Sequence, residues 1–533
     1  MPGLSVPDRA GLTVSSASGR WVIFATVLGS GIAGIDATAV SIAIPSIGRD
    51  LHAGWSSLQW IVTAYTLTLA GLLLVGGSLG DRYGRRRVFI MGVIGFAGAS
   101  ALCGFAPNTQ ILVAARAVQG IGGALLLPGS LAILQASFAP SDRARAIGAW
   151  SGFGGVATAI GPFLGGWLVE AVSWRLIFFI NLPLAIAVVI VTVRHVPEST
   201  EPNVEGPVDV TGGILVTLGL VGVVYGLIEG PNTGWSATRV VVSVIAGAAL
   251  LVAFIVLEAR RRYPMLPLRL FSSVQFSSAN AVTFVVYAAL GGALFLLPIE
   301  LQQVAGYSAV ESGTALLPLT VIMLLLSSRS GALATRIGPR PQMSLGPVCA
   351  GVGLALLSRA GEGNGYLVDV LPGMVVLGLG LAANVAPLTS TVLAAAPAEH
   401  AGVASAINND VARTAQLIAV AVLPALAGIG AGDYGDVQSF GDGFRSAMFI
   451  AAGLCVSGGL LAAATIRNPI TEGPPVPVAV EPAGAEQLAP RPRVHCSLDA
   501  PPLETGQSLV ASGPIDGEPS PAGPAPPSPS SSG

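Results

Sequence analysis

Apolar runs of about twenty residues, almost free of charge, follow one another along this chain as far as residue 466. A helix of that length crosses a bilayer core about 30 Å thick. In lipid every backbone N–H and C=O must be satisfied internally, so only helices and closed barrels can span. Barrel strands alternate apolar and polar residues over segments of about ten. These runs do not alternate, and the chain reads as an all-α polytopic membrane protein. Its 10% of charged residues, against about 25% in soluble domains, and its mean hydropathy of +0.73 agree.

The runs give fourteen expected spans, at about 21–45, 56–79, 88–106, 110–136, 146–171, 175–194, 209–228, 240–258, 274–299, 312–334, 342–358, 367–394, 402–428 and 445–466. An even number puts both termini on one side. Basic residues favour cytoplasmic loops, and all 26 here are Arg. One set of loops carries Arg82, Arg85, Arg86, Arg87, Arg143, Arg145, Arg194, Arg260, Arg261, Arg262, Arg269, Arg336 and Arg340; the other carries Arg49, Arg175, Arg239, Arg359 and Arg445. The first set and both termini are expected in the cytoplasm. The lack of Lys and the wealth of Ala, Gly and Pro read as high-GC coding bias, and the expected location is a bacterial inner (plasma) membrane.

Residues 1–20 are a polar cytoplasmic tail with no apolar core, so no cleavable signal peptide is read there. Residues 467–533 turn to Pro, Ser, Gly and Ala and are expected to form a disordered cytoplasmic tail. Cys103, Cys349, Cys455 and Cys496 show no disulfide or metal spacing. His52, His195, His400 and His495 lie far apart, and no GxxxxGK[ST] occurs. Metal chemistry and ATP hydrolysis are therefore not indicated, and neither an enzyme, a cofactor nor a nucleic-acid partner is expected.

A decamer returns late in the chain. "GSLGDRYGRR" (77–86) aligns with "GALATRIGPR" (331–340) at Gly, Leu, Arg, Gly and Arg, 254 residues apart. Each copy follows the second span of a half. The implied architecture is two six-helix bundles in parallel repeat, 21–194 and 274–466, with two inserted central helices in 195–273. Parallel repeats of this kind build some transporters, with the substrate near the midplane between the halves.

"GSLGDRYGRRR" (77–87) also resembles the signature of the loop between spans two and three in the major facilitator superfamily, G-x-L-a-D-R-x-G-R-[RK]-x. "RAVQGIGGALLLPG" (116–129) resembles its fourth-span motif, and "GPFLGG" (161–166) the fifth-span motif of its exporters. "DATAVSIAIP" (36–45), "WRLIFFINLP" (174–183) and "LPIELQQVAGYSAVESGTALLP" (297–318) are similar to segments of the fourteen-span drug:proton antiporters, the EmrB/QacA type. The resemblance covers about 20–466. It implies a proton-coupled exporter of small amphipathic or cationic compounds, working by alternating access in drug or antibiotic efflux. A dedicated exporter of an endogenous metabolite, siderophore or lipid precursor is the alternative, and a membrane receptor or scaffold a more remote one. The expected partners are a small-molecule substrate, protons and the bilayer, with the chain as a monomer. The chain departs from the family pattern at Ser41, usually Asn, at "RTAQ" (413–416), where R-Q-x-G is usual, and at Glu300, where an aromatic or apolar residue is usual.

Charges inside the membrane are candidate functional residues. Asp36 in span one lies about 14 Å from the outer end and Arg116 in span four about 10 Å, at 1.5 Å per residue; they stand at similar depth and are expected to share one cavity, with Asp36 as a proton-coupling or cation-recognition acid and Arg116 as its electrostatic tuner, or else to form a fixed ion pair. Asp410 and Arg413, one turn apart in span thirteen, are expected either to pair or to line the other side of that cavity. Asn384, Asn408 and Asn409 are candidate polar contacts for a substrate. Glu300 is read as a wetted interfacial residue or a proton acceptor. Gly161 and Pro162, with Gly165 and Gly166 one turn on, suit a bent and closely packed helix seam. Gly77, Asp81, Arg82, Gly84, Arg85, Arg86 and Arg336 form the expected conformational latch. The resemblance implies that its Asp reaches across to the other half when the outer side is open.

Overall fold

The computed structural model describes residues 11–201, 206–361, 363, 365–397, 401–430 and 432–468. The expectations for residues 1–10 and for the tail beyond 468 fall outside them. The helices are α1 (Ala17–Asp50), α2 (Trp55–Tyr83), α3 (Arg85–Gly104), α4 (Thr109–Ser137), α5 (Pro140–Ala171), α6 (Leu176–Phe179), α7 (Asn181–His195), α8 (Val210–Thr233) and α9 (Thr238–Arg260). They continue with α10 (Val274–Gln303), α11 (Ala309–Ala315), α12 (Leu317–Ile337), α13 (Pro339–Leu357), α14 (Tyr366–Asp369), α15 (Leu371–Ala394), α16 (Ala401–Leu426) and α17 (Val437–Thr465). Among the described residues there is no strand, only a bridge between Leu12 and Phe138.

Taking α6 with α7, α11 with α12 and α14 with α15, twelve helices among the described residues are long and apolar enough to cross a membrane. Fourteen were expected, and α13 and α16 make the difference. The first opens on Pro339, Arg340, Pro341 and Gln342, and the second holds Asn408, Asn409, Asp410, Arg413 and Gln416. Both nevertheless pack among the others, α13 on α15 and α17, and α16 on α10 and α2.

Local chemistry sets the helix ends. Ser16, Asn108 and Ser273 each accept a backbone N–H of the first turn they precede, which satisfies a donor the helix itself leaves open. Ser308 and Glu311 form a reciprocal cap that starts α11. The abundant glycine allows close approach between helices. A Cβ at Gly76 of α2 would stand 2.0 Å from the Ala124 carbonyl oxygen of α4, and one at Gly120 of α4 would stand 2.1 Å from Thr68 Oγ1 of α2.

The sequence repeat is also a repeat of local geometry. A single glycine separates α2 from α3 and α12 from α13: Gly84 at φ +112° and Gly338 at φ +81°, a region that side chains resist. In each case a residue three positions past a later helix closes over the turn. Glu198, beyond α7, accepts Arg86 N at 3.0 Å, and Asn468, beyond α17, accepts Arg340 N at 3.0 Å. The same arginines reach back to carbonyls there, Arg86 to Val196 at 3.1 Å and Arg340 to Ala463 at 2.7 Å.

Among the described residues, the hydrogen bonds between α1–α7 and α10–α17 lie at one end. At the Asp50 end, Gln302 of α10 donates to the Ile42 carbonyl of α1 at 2.9 Å, and Gln59 of α2 to the Val420 carbonyl of α16 at 2.8 Å. Trp55 of α2 sits 5.8 Å from Phe295, 5.5 Å from Tyr434 and 6.0 Å from Phe440, ring centre to ring centre. Towards the Gly84 and Gly338 end, no hydrogen bond or ion pair among the described residues joins the two groups. There, Cβ atoms added at Gly148, Gly152, Gly154 and Gly155 of α5 or Gly402 of α16 would meet open space. Among the described residues, the two groups are hydrogen-bonded to each other at the first end and not at the second.

Candidate functional site

Helices α1, α3, α4 and α7 converge on Asp36. Asp36 is 0% exposed and Arg116 1%. Arg116 Nη1 donates to Asp36 Oδ2 and, at 2.6 Å, to Gln119 Oε1; its Nε donates to the Ile61 carbonyl at 3.2 Å. Gln119 Nε2 and Asn181 Nδ2 both donate to Asp36 Oδ1, at 2.8 and 3.1 Å. Ser100 Oγ accepts from Asn181 at 2.9 Å and donates to the Phe178 carbonyl at 2.9 Å. The guanidinium lies 4.3 Å over the Tyr65 ring, a cation–π contact. A buried charge persists only when paired and hydrogen-bonded, and both oxygens of Asp36 are fully engaged. The expected partners therefore meet, inside the helix packing rather than on an open wall. Gln119, Asn181, Ser100 and Tyr65 were not singled out from sequence. Gln119 and Asn181 stand in the segments 116–129 and 174–183, where an amide inside an apolar run was the available signal.

The other group of helices contributes α16. Asp410 and Arg413 stand one turn apart on it, yet no ion pair within 4 Å joins them among the described residues. Asp410 Oδ1 is buried with no hydrogen-bond partner. Arg413 lies within electrostatic reach of Tyr65, as do Asp36 and Arg116. Asn408 reaches α10, donating to Asn280 Oδ1 at 3.1 Å and Thr283 Oγ1 at 2.8 Å. Asn280 and Thr283 were missed; they are polar residues in an otherwise apolar run. Asn409 is exposed and donates to Ser405 O of its own helix at 3.0 Å. Asn384 of α15 is 0% exposed, and neither of its amide atoms has a partner.

The charged turn after α2 is strapped by the chain that follows α7. Asp81 Oδ1 accepts Arg85 Nε at 2.8 Å, Arg85 also pairs with Glu201 at 3.2 Å, and Arg82 donates to the Gly206 carbonyl. Glu198 lies 3.7 Å from Arg86 Nε and 3.6 Å from Arg87 Nε. Every side-chain hydrogen bond and ion pair of Asp81, Arg82, Arg85 and Arg86 among the described residues stays within 81–206. Arg336 is exposed, and Gly77 makes only ordinary contact distance with Pro128. Among the described residues, no hydrogen bond or ion pair joins this turn to α10–α17.

Helix α5 threads between α1 and α11. A Cβ at Gly161 would lie 2.0 Å from Thr38 Oγ1 of α1, and one at Gly165 2.8 Å from Ala39 Cα. On the opposite flank, a Cβ at Gly166 would lie 2.3 Å from Ala309 O, and one at Gly313 of α11 2.2 Å from Pro162 O. Pro162 sits inside α5, which continues to Ala171. These four residues of α5, with Gly313, allow backbone to meet backbone at the shut end.

Residues 26–415 match the family model of the Major Facilitator Superfamily. The chain is 35% identical over 431 residues to the tetracenomycin C resistance and export protein of Streptomyces glaucescens, covering 80% of each chain. It is 35% identical over 402 residues to the multidrug resistance protein Stp of Mycobacterium tuberculosis, covering 75% of this chain and 74% of that one. It is 34% identical over 406 residues to the lincomycin resistance protein of Streptomyces lincolnensis, covering 75% and 82%. Among solved structures, a bacterial homologue of the human lysosomal transporter Spinster, in an inward-facing and unoccupied conformation, superposes with a TM-score of 0.61. It is 16% identical, over 84% of this chain and 97% of that one. At that identity the likeness shows the fold alone.

Proposed function

The chain belongs to the Major Facilitator Superfamily, and from that premise we propose that it is a secondary active exporter of small amphipathic or cationic compounds, drugs and antibiotics among them, driven by inward proton movement. The observation that carries the reading is the one-sided seal. Two groups of helices meet at the Asp50 end and part at the Gly84 and Gly338 end, as one state of an alternating-access cycle requires. With the Arg-rich turns taken as cytoplasmic, this is the cytoplasm-open state, with both termini inside. The relatives named for resistance to tetracenomycin C, lincomycin and multiple drugs support export. In this reading α13 and α16, which pack among the other helices, also span, and the count is fourteen. It gives bundles within 21–194 and 274–466, and α8 with α9 as the insert.

The two acids take different parts in this reading. Asp36, with Arg116, Gln119 and Asn181, is a closed network that fixes charge and geometry between four helices. Asp410 is half-buried, with Oδ1 buried and unpartnered, and burial of a carboxyl oxygen without a donor favours the neutral acid over the carboxylate. Asp410 is therefore assigned the transported proton in the cytoplasm-open state, with Arg413 as its tuner, and Asn384 and Asn409 as contacts for the cargo. Asp81 with its arginines and Arg336 latches the cytoplasmic side when the outer side opens. The glycines and Pro162 of α5 form the seam that rocks.

In everted membrane vesicles carrying the protein, a cationic dye should accumulate, and a proton uncoupler should abolish that accumulation. Accumulation unaffected by the uncoupler would remove proton drive from the proposal. A second reading, a dedicated exporter of one compound the cell makes itself, is favoured by relatives named for a single antibiotic. It is the reading to take up if the uncoupler-sensitive step moves only one such compound and no dye.

A further inference from the structure

We propose that Glu300 is a proton-binding site in the outer seal, which holds a proton while the Asp50 end is shut and releases it when that end opens. Glu300 lies on α10 and is 1% exposed. Its Oε2 is buried with no hydrogen-bond partner, and no side chain among the described residues forms a salt bridge with it. Its Oε1 faces two glycines. A Cβ at Gly361 would stand 2.7 Å away, and one at Gly441 of α17 3.7 Å away. Gly361 is held at φ +95°, so the room for this carboxyl is built into the backbone. Arg445 of α17 is a charged group within electrostatic reach of it, and Arg445 has contacts of its own. Two residues along α10, Gln302 makes the hydrogen bond to Ile42 that ties the two groups of helices together.

The argument is one of solvation. A lone carboxylate removed from water is penalised far more heavily than a neutral carboxyl, which loses only its hydrogen bonds, about 1–3 kcal/mol. With Oε2 buried and unpaired among the described residues, the Glu300 carboxyl is favoured in its neutral form while this end is shut. Opening the Asp50 end lets water reach α10, and the carboxylate becomes the favoured form near neutral pH. The shut state thus binds one more proton than the open state. Protons stabilise the shut state, and that stabilisation is lost as pH rises, by up to about tenfold in the shut-to-open ratio per pH unit. Acid on the outer face then favours resealing once cargo has left. This proposal uses the two states of the alternating-access reading but does not depend on proton-driven transport.

The test uses the full-length protein in lipid nanodiscs without cargo. Spin labels are placed at Ala53 and Gly306, flanking the seal, in a background with Cys103, Cys349, Cys455 and Cys496 replaced and with Asp410→Asn, so that the proton assigned to Asp410 contributes neither to the pH profile nor to the carboxyl band. In the otherwise unmodified chain the open population should rise with pH along a one-proton curve. In Glu300→Gln the seal should stay shut with no pH dependence, and Glu300→Leu should be equally flat. Infrared spectra of the shut state should show a protonated-carboxyl band that Glu300→Gln lacks. A Glu300→Gln protein that keeps the original pH profile, or an unchanged carboxyl band, overturns the proposal. Uncoupler-insensitive export with this profile intact would instead count against proton drive alone.

Discussion

Replacing Arg116 with Leu is expected to abolish export and to destabilise the protein by about 3–5 kcal/mol, the range found when one partner of a buried ion pair is removed. The reason is the closure of the network around it. Arg116 holds Asp36, Gln119 and the Ile61 carbonyl at once and stacks on Tyr65. Its loss leaves Asp36 fully buried with only two neutral amides as donors. Pairing Arg116→Gln with Asp36→Asn should recover much of the lost stability, because no uncompensated charge then remains. A double-mutant cycle on thermal unfolding measures that coupling, and efflux assays follow function in parallel. If Arg116→Leu unfolds within about 0.5 kcal/mol of the parent, as a neutral surface change would, the network does not organise these four helices.

Gly166→Leu is expected to act on the opposite side of the cycle. A Cβ at Gly166 would stand 2.3 Å from the Ala309 carbonyl oxygen, so the shut end cannot form without displacing backbone. Overpacking of this kind costs about 1–3 kcal/mol, which is roughly a five- to 150-fold shift in a two-state ratio. The wedge bears on the shut outer end and not on the other state. The variant should therefore populate the outer-open form, raise thiol labelling of a cysteine introduced beside the seal, and lose export by at least about tenfold. Gly313→Leu, whose Cβ would meet the Pro162 carbonyl at 2.2 Å, should behave alike. Labelling that stays at the level of the parent chain would show that α5 and α11 do not form the moving seam.

The span pattern was legible because lipid leaves a chain so few choices. The apolar runs located every long helix, including α16 with its Asp and Arg. The same polar residues that mark α16 as functional also lower its hydropathy, and Pro339, Arg340, Pro341 and Gln342 lower that of α13, which is why these two fall short of the apolarity that the other twelve meet. The 77–86 and 331–340 repeat was legible too, and its physical root is the pair of left-handed glycines, Gly84 and Gly338. Depth along a helix was enough to suggest that Asp36 and Arg116 could meet. Rotation about the helix axis, which decides whether a residue faces lipid, a neighbour or a cavity, was not available from spacing alone. Asn181, three helices away in the chain, therefore remained unnoticed. So did the strap of residues 196–201 over the charged turn, because several of its bonds run to or from backbone atoms, which spacing does not reveal. Glu300 is the instructive case. Near a helix end it reads as wetted, but tertiary packing against Gly361 and α17 removes it from water.

The most direct test of the central claim is proton counting in sealed proteoliposomes that contain the purified protein and a lumenal pH reporter. A cargo gradient imposed across the membrane should drive protons in the opposite direction in the parent protein. In Asp410→Asn that proton movement should vanish while cargo still binds. Proton movement of parental size in Asp410→Asn, or cargo movement in the parent with no proton movement at all, would contradict an antiporter that carries its proton on α16.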